Sequence, residues 1–261
     1  MKCLVIGFCG SMGRRRVRCL KALGYEDIFG FDTSKFASDK ADELGIKYTK
    51  LEDFDNGAVL ISTPPKHHLE YVEMFINKGC HVFCEASVIP SDRFTYDKIK
   101  RLTETNLVQF FPSATIKFKD SVSFIKECLD KQFIGEVLSY DYRFAQNLRT
   151  WHPYQDIKDY YVSDPDTGAG REMAAFELSW LTWLFGINAK IINSHIAKVS
   201  EISVNTGIDD YYSFSIQHEK AVGSVVIDVF SHTPYRFLRV SGTSGNIEFD
   251  WVNNRVTVEN R

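Results

Sequence analysis

The chain carries no surplus of either charge: 31 Lys and Arg stand against 34 Asp and Glu in 261 residues, a formal net charge of −3. No basic block of the kind that tracks a phosphate backbone occurs, so a nucleic-acid partner is not expected. Long hydrophobic runs are missing as well. The opening MKCLVIGFCGSMG has only a short apolar run before glycines intervene, too short for a signal-peptide core, and nothing approaches the roughly 18 apolar residues of a membrane span. A cytoplasmic protein with no membrane partner is the expectation. Six cysteines, at 3, 9, 19, 80, 84 and 128, fall in the first half without regular spacing, which argues against a disulfide framework and for reduced thiols. Cys80, His81 and Cys84 could be read as a metal cluster, but they sit in GCHVFCE, whose alternation fits a strand. Buried structural cysteines are preferred, and no metal is expected. Internal repeats, low-complexity tracts and Pro-rich linkers are absent.

What is present is a change of texture along the chain. With 44% hydrophobic residues, the length suffices for one large domain or two modest ones. Up to about residue 112, short apolar runs at 3–7, 27–32, 58–63, 81–85 and 107–111 alternate with helix-like segments at 14–23, 34–44, 67–78 and 91–104. In the third of these, Leu69, Val72, Phe75 and Ile76 recur at helical spacing and Gly79 stands where a C-cap belongs. Such alternation predicts an α/β domain with a parallel sheet and right-handed crossovers. Another amphipathic helix, within 117–133, then gives way to longer alternating runs broken by turn pairs such as Ser244-Gly245 and Asn253-Asn254. These predict an α+β domain with a mostly antiparallel sheet, interrupted by one helix at about 170–185. The division expected is 1–115 and 116–261. An irregular polar stretch, LRTWHPYQDIKDYYVSDPDTGAG, precedes that helix, and a long loop inside a compact domain is more often functional than idle.

The first strand leads into GFCGSMGRRRVRCL, which places Gly7, Gly10 and Gly13 before an amphipathic helix. A glycine-rich turn lets the backbone approach a pyrophosphate, and a helix N-terminus offers free N–H groups to it. The spacing is Gly-x-x-Gly-x-x-Gly. The second strand ends at Asp32, where a carboxylate accepts hydrogen bonds from adenosine ribose hydroxyls. That acid favours NAD over NADP, because it repels a 2′-phosphate, although Thr33, Ser34 and Lys35 could accommodate one. Arg14, Arg15 and Arg16 can be read as phosphate contacts or as a solvated helix face.

At ISTPPKHHLEYVEMFINKGCHVFCEASV the chain resembles the Gfo/Idh/MocA family, named for glucose-fructose oxidoreductase, inositol dehydrogenase and a rhizopine-catabolism protein. Members carry a Thr-Pro-Pro turn, a histidine at a helix start, and HVFCEKP or a close variant. Here these are Thr63-Pro64-Pro65, His67 or His68, and HVFCEAS. GFCGSMGRRR is similar to the family's GLGSMGKRR, with Phe8 in place of the first glycine. LRTWHPYQDIKDYY resembles a WxPxxDYRxxY loop of a sugar-modifying branch, and GAGREMAAFELSWLTWLFG resembles that branch's GGVLLELSHEIDYLRWLFG. The resemblance runs from residue 1 to about 186. It implies an α/β Rossmann domain, with a parallel doubly wound sheet, followed by an α+β domain with a mostly antiparallel open sheet, and NAD or NADP held by Gly7, Gly10, Ser11, Met12, Gly13, Asp32, Thr63, Pro64, Pro65, His68 and Glu85, with the nicotinamide near Pro64-Pro65 and Glu85. It also implies a sugar, nucleotide-sugar or cyclitol substrate, and a homo-oligomer, dimer or tetramer, built through the C-terminal sheet.

Two departures bear on chemistry. The family's acid/base lysine follows the glutamate, and Ala86 stands there, with Ser87 for the proline. Its histidine falls on Phe176, while the carboxylate four residues earlier is kept as Glu172. Taking a proton from a carbinol is worth about 10²- to 10⁴-fold, and neither alanine nor phenylalanine can do it. Candidate substitutes are Tyr160, Tyr161, His152, Asp156 with Lys158, Glu172, and Lys117, which replaces an arginine of the family's NxRFxP segment. Each also has a packing role open to it; Glu177 reads either as a second site carboxylate or as a solvated helix residue. Members usually continue with a further strand and helix beyond VTVENR, so the chain is expected to be either minimal or shortened. The expected activity is an NAD(P)-dependent oxidoreductase on a sugar-type molecule. The alternatives are a non-redox NAD-dependent sugar enzyme, an epimerase or glycosidase, and a catalytically inactive cofactor- or sugar-binding homologue.

Overall fold

The structure, a computed structural model, describes residues 1–86 and 92–260. The chain divides into two compact units, Met1–Ser113 and Ala114–Arg261.

The first unit runs β1 (Cys3–Ile6), α1 (Ser11–Ala22), β2 (Ile28–Phe31), α2 (Ala37–Glu43), β3 (Lys47–Tyr48), β4 (Ala58–Ile61), α3 (His68–Asn77), β5 (His81–Cys84), α4 (Arg93–Thr105) and β6 (Phe110–Pro112). Its strands form one sheet in the order β3-β2-β1-β4-β5-β6, every pair parallel. All four residues of β1 are buried, as a central parallel strand covered by helices on both faces requires. Strand order reverses at β1, whose neighbours are β2 and β4. The glycine turn after β1 therefore opens at the topological switch point, where open α/β sheets bind ligands.

Two details differ from the sequence expectation. The strand expected from 107 begins only at Phe110, because Leu107 takes a left-handed φ of 52° after α4. The two-residue edge strand β3 carries no run long enough to announce it. Ser87, the proline replacement, lies outside the described residues. Cys80 and Cys84 are buried, while His81, on the other face of β5, is exposed and accepts the Gln109 N–H at 3.1 Å.

The second unit contains α5 (Asp120–Asp130), β7 (Val137–Asn147), α6 (Ala169–Phe185), β8 (Lys190–Ala197), α7 (Glu201–Thr206), β9 (Tyr211–Gln217), β10 (Val222–Asp228), β11 (Phe230–Gly242), β12 (Gly245–Asp250) and β13 (Arg255–Asn260). They form a seven-stranded sheet, β13-β12-β11-β7-β10-β9-β8, antiparallel except for the β7–β10 pair. Burial alternates along β9 and β10, so one face of each meets the core. There Val122 and Ile125 of α5 and Trp180 and Leu181 of α6 pack on Tyr142, Val225 and Leu238. Each such side chain contributes about 1.5–3 kcal/mol by leaving water. Between β7 and α6 the polar stretch coils through three short 3₁₀ turns, Leu148–Thr150, Ile157–Asp159 and Tyr161–Ser163.

Candidate functional site

In the first unit, the ends of β1 and β4 part to leave a cleft of about 250 Å³. Gly7, Cys9 and Gly10 line one side, Asp32 and Thr33 the end, and Ser62, Thr63, Pro64 and Tyr71 the other. Gly7 has φ of 79°, and a Cβ there would lie 2.7 Å from the Ser62 carbonyl oxygen. A Cβ on Gly13 would meet the Gly7 oxygen at 2.2 Å. The turn is thus drawn tight against both β4 and α1, which only glycine permits. Gly10 caps α1 without a side chain, and Ser11 and Met12 are exposed beside it. The first amides of the helix have no intrahelical acceptor and are left for a phosphate. Phe8 points away from the cleft: it is fully buried under α1, packed with Val17, Ile28 and Ile46.

Asp32 is fixed by two backbone donors, Cys9 N–H to Oδ2 and Ser34 N–H to Oδ1, each at 2.9 Å. The carboxylate ties the glycine turn to the end of β2 and faces the cleft with its remaining lone pairs. Burial and the neighbouring Asp32 push the Cys9 thiol up to about 11, so it stays protonated at neutral pH. On the opposite wall the buried hydroxyls Ser62 Oγ and Thr63 Oγ1 have no hydrogen-bond partner among the described residues. Buried polar groups normally find partners; two orphans on a cleft wall fit a ligand rich in donors and acceptors. A nicotinamide dinucleotide, with phosphates at α1 and ribose hydroxyls at Asp32, meets these demands.

His68 does not face the cleft. It is buried, and its Nε2 bonds to the Thr63 carbonyl at 2.8 Å, bracing the Thr63-Pro64 turn from beneath. Pro65 opens the 3₁₀ turn Pro65–His67 that leads into α3. Glu85, just past β5, is buried, its N–H bonded to Ile61 O at 3.0 Å. Its carboxylate accepts from Arg16 Nε at 2.5 Å, and that guanidinium lies 4.7 Å from the Phe83 ring centre. Arg14 donates to the Cys9 carbonyl at 2.7 Å, and Arg15 is exposed. Of the three arginines, two therefore hold the turn and Glu85. Sequence reasoning missed the Arg16–Glu85 pair, 69 residues apart, and the cleft-lining Tyr71; Arg16 and Glu85 were each visible alone, but nothing local joins them.

In the second unit, Glu172, on the first turn of α6, is 9% exposed. Burial pushes its carboxyl group from the ordinary 4.5 up to about 7, against the opposing pull of the nearby Tyr161 hydroxyl. Burial, with Glu172 next in importance, drives the Tyr161 hydroxyl well above its ordinary range. Phe176, one turn further along α6, packs against the core. Tyr160 reaches the Leu148 carbonyl at 3.4 Å and meets His152 edge-to-face, and His152 bonds Tyr154 OH at 2.7 Å. Asp156 caps the turn that carries Lys158, at 3.2 Å from its N–H. Lys117 Nζ lies 5.7 Å from the Trp183 ring centre, with burial lowering its pKa. Glu177 is neither a second site carboxylate nor solvated. Fully buried, it accepts from Tyr142 OH at 2.5 Å, Trp180 Nε1 at 2.8 Å and Arg236, which leaves it no free role.

Residues 1–105 match the model of the oxidoreductase family with an NAD-binding Rossmann fold, and residues 122–248 match the GFO/IDH/MocA C-terminal domain. The chain belongs to the Gfo/Idh/MocA oxidoreductase family. Among curated proteins, an uncharacterised oxidoreductase of Schizosaccharomyces pombe is 31% identical over 36% of this chain and 26% of its own length. Another, of Synechocystis, is 24% identical over 56% of the chain and 40% of its own length. The chain thus spans well under two thirds of these relatives. Solved structures extend over the whole chain. A WlbA dehydrogenase from Chromobacterium violaceum, in complex with NADH and UDP-GlcNAcA, superposes with a TM-score of 0.84 at 14% identity, covering 100% of this chain and 77% of that one. A levoglucosan dehydrogenase with NADH and levoglucosan gives 0.83 at 17%, covering 100% and 76%. An oxidoreductase from Agrobacterium radiobacter with NAD+, L-tartaric acid and magnesium gives 0.83 at 16%, covering 100% and 77%. At such identities the likeness establishes the shared fold. Among the described residues no helix is long and apolar enough to cross a membrane, and no group of three or more His, Cys, Asp or Glu could hold a metal ion.

Proposed function

We propose that the protein is an NAD(P)-dependent oxidoreductase that acts on a hydroxyl-bearing carbon of a sugar, nucleotide sugar or cyclitol. The observation that carries this reading is the cleft at the switch point: a glycine turn at a helix N-terminus, with Asp32 held by Cys9 and Ser34 and two unpartnered hydroxyls opposite. When bound, the coenzyme supplies a hydride acceptor or donor; the chain's own part is to bind it, orient it and move a proton. NAD is favoured over NADP, because a fixed carboxylate at the ribose end repels a second phosphate. Gly7, Gly10, Ser11, Met12 and Gly13 would approach the pyrophosphate, and Thr63, Pro64, Pro65 and Glu85 the nicotinamide half, with His68 and Arg16 holding them in place. The bound sugars of two family neighbours support the substrate class.

The sheet of the second unit supports a homo-oligomer. Leu138, Val222 and Tyr235 are exposed on it, a burden that a second copy would relieve. Titration of the chain with NADH and NADPH, read by calorimetry, tests the cofactor assignment. Micromolar binding of NADH over NADPH is expected, followed by hydride exchange with a panel of sugar nucleotides and polyols. Binding of neither coenzyme would refute it, and retention of NAD without net NADH formation on turnover would favour a non-redox sugar reaction instead.

A further inference from the structure

We propose that the ring of Tyr71 is the platform on which the adenine base of the coenzyme stacks. Such a platform presupposes the oxidoreductase reading above and serves the one part of the dinucleotide that the polar groups of the cleft leave unplaced. Phosphates belong at the glycine turn, where the first amides of α1 are free, and the adenosine ribose belongs at Asp32, whose carboxylate is fixed by Cys9 and Ser34. The base is one glycosidic bond beyond that ribose, so whatever receives it must stand at the Asp32 end. A purine carries no charge and has two flat faces, and another ring is the surface that fits it best. Tyr71 lines the same cleft as Asp32 and Thr33, and with Phe31 and Pro64 it supplies apolar surface there.

The first turn of α3 holds the ring in readiness. His68, Val72, Phe75 and Ile76 are buried, so one face fastens the helix to the sheet. Tyr71 stands beside that face, half-buried, and packs in part on the same core. One turn back, the His67 ring lies 6.5 Å away, tilted by 47°. A side chain confined in this way has little rotational freedom left to lose when a base is laid on it. Burial, then Glu70, then Asp32 hold the Tyr71 hydroxyl above its ordinary range, so it stays neutral and lies within electrostatic reach of the carboxylate assigned to the ribose. Packing alone would not require an aromatic residue at this position, because Leu69 and Met74 of the same helix pack on that core as aliphatic chains. A flat, half-exposed ring facing a cleft meets a different need, and its hydroxyl plays no part in it.

Calorimetric titration of the whole chain with ADP-ribose, NADH and reduced nicotinamide mononucleotide tests the platform in wild type, Tyr71→Phe, Tyr71→Leu and Tyr71→Ala. Leucine keeps most of the apolar bulk that packs on the sheet, so its thermal midpoint should stay near that of wild type even where alanine lowers it. ADP-ribose and NADH should bind about tenfold more weakly to Tyr71→Leu and Tyr71→Ala, the scale of one base stacked on an aromatic side chain, and as tightly to Tyr71→Phe as to wild type. The mononucleotide, which has no adenine, should bind all four alike. In proton spectra the adenine H2 and H8 resonances of ADP-ribose should move upfield on binding to wild type and Tyr71→Phe, and much less with Tyr71→Leu. Unchanged ADP-ribose affinity in Tyr71→Leu, or an equal loss for the mononucleotide, would overturn the assignment. A wild type that binds ADP-ribose about tenfold more tightly than Tyr71→Leu does, yet leaves NADH unbound, would keep the platform and sink the oxidoreductase reading.

Discussion

Replacing Glu172 by Gln should make the second unit gain stability relative to wild type as pH rises. The carboxyl group ionises near 7 when folded and near its ordinary value of about 4.3 when unfolded. Because the folded value is the higher one, the stability it contributes is fully present below about pH 4.3 and is lost as pH rises through 7. The gap converts to about 3 kcal/mol lost by pH 8, an order-of-magnitude figure for a group so little exposed. Glutamine has no proton to lose, and whatever its amide costs beside Tyr161 is the same at every pH. The variant should therefore be about as stable as wild type at pH 5, where the roughly 1 kcal/mol of hydrogen bond it lacks is offset by what wild type has already lost above pH 4.3, and stronger by about 2 kcal/mol at pH 8. Urea unfolding at pH 5, 6, 7 and 8, followed by tryptophan fluorescence, measures this, since Trp151, Trp180, Trp183 and Trp251 all lie in the second unit. Other titrating groups cancel between the two proteins. Stability curves that run parallel across this range would refute the view that Glu172 is buried uncompensated.

Asp32→Ala should weaken NADH binding by about 10- to 100-fold, the worth of hydrogen bonds to a charged group, and narrow the preference over NADPH; equal losses for both coenzymes in a fluorescence titration would count against ribose recognition. Gly13→Ala places a methyl group 2.2 Å from the Gly7 oxygen and should lower the thermal midpoint and abolish NADH binding together. Arg16→Met leaves Glu85 buried without its partner and should cost about 3 kcal/mol, with partial recovery in Arg16→Lys; unchanged urea midpoints would show that the pair is dispensable. Glu177→Gln, which strands Arg236, should destabilise by about 3 kcal/mol while NADH affinity stays at the wild-type level.

How much of this was legible in the sequence depends on how far apart the cooperating residues lie. The strands and helices of the first unit follow from local periodicity, and α3 falls where Leu69, Val72, Phe75 and Ile76 place it, because one amphipathic face decides a helix. Asp32 was readable because the glycine turn and the second strand sit at a fixed remove from it. Phe8 stands where the resembled turn has a glycine; the local chain rotates it into the core beneath α1, and only the fold shows which way a side chain in a turn points. The Arg16–Glu85 pair joins a helix to a strand end across the sheet. His68 could equally have faced the cleft or braced the turn behind it, since both roles need the same residue at the same place.

The two glutamates of α6 make the same point about function. Glu172 and Glu177 stand five residues apart on one helix, and apart from the resemblance that singles out Glu172, nothing in the sequence says what each one meets. Five residues turn a helix by well over a full turn, so they leave it in different directions. Glu177 enters the sheet core and finds a tyrosine, an indole and a guanidinium as donors. Glu172 finds one tyrosine and no cation, and its proton becomes labile near neutral pH. A carboxylate met by several donors is held by the fold, whereas an under-satisfied one keeps an open acceptor. Loss of the paired carboxylate should therefore be felt as a loss of stability at every pH, and loss of the under-satisfied one in the pH dependence of stability.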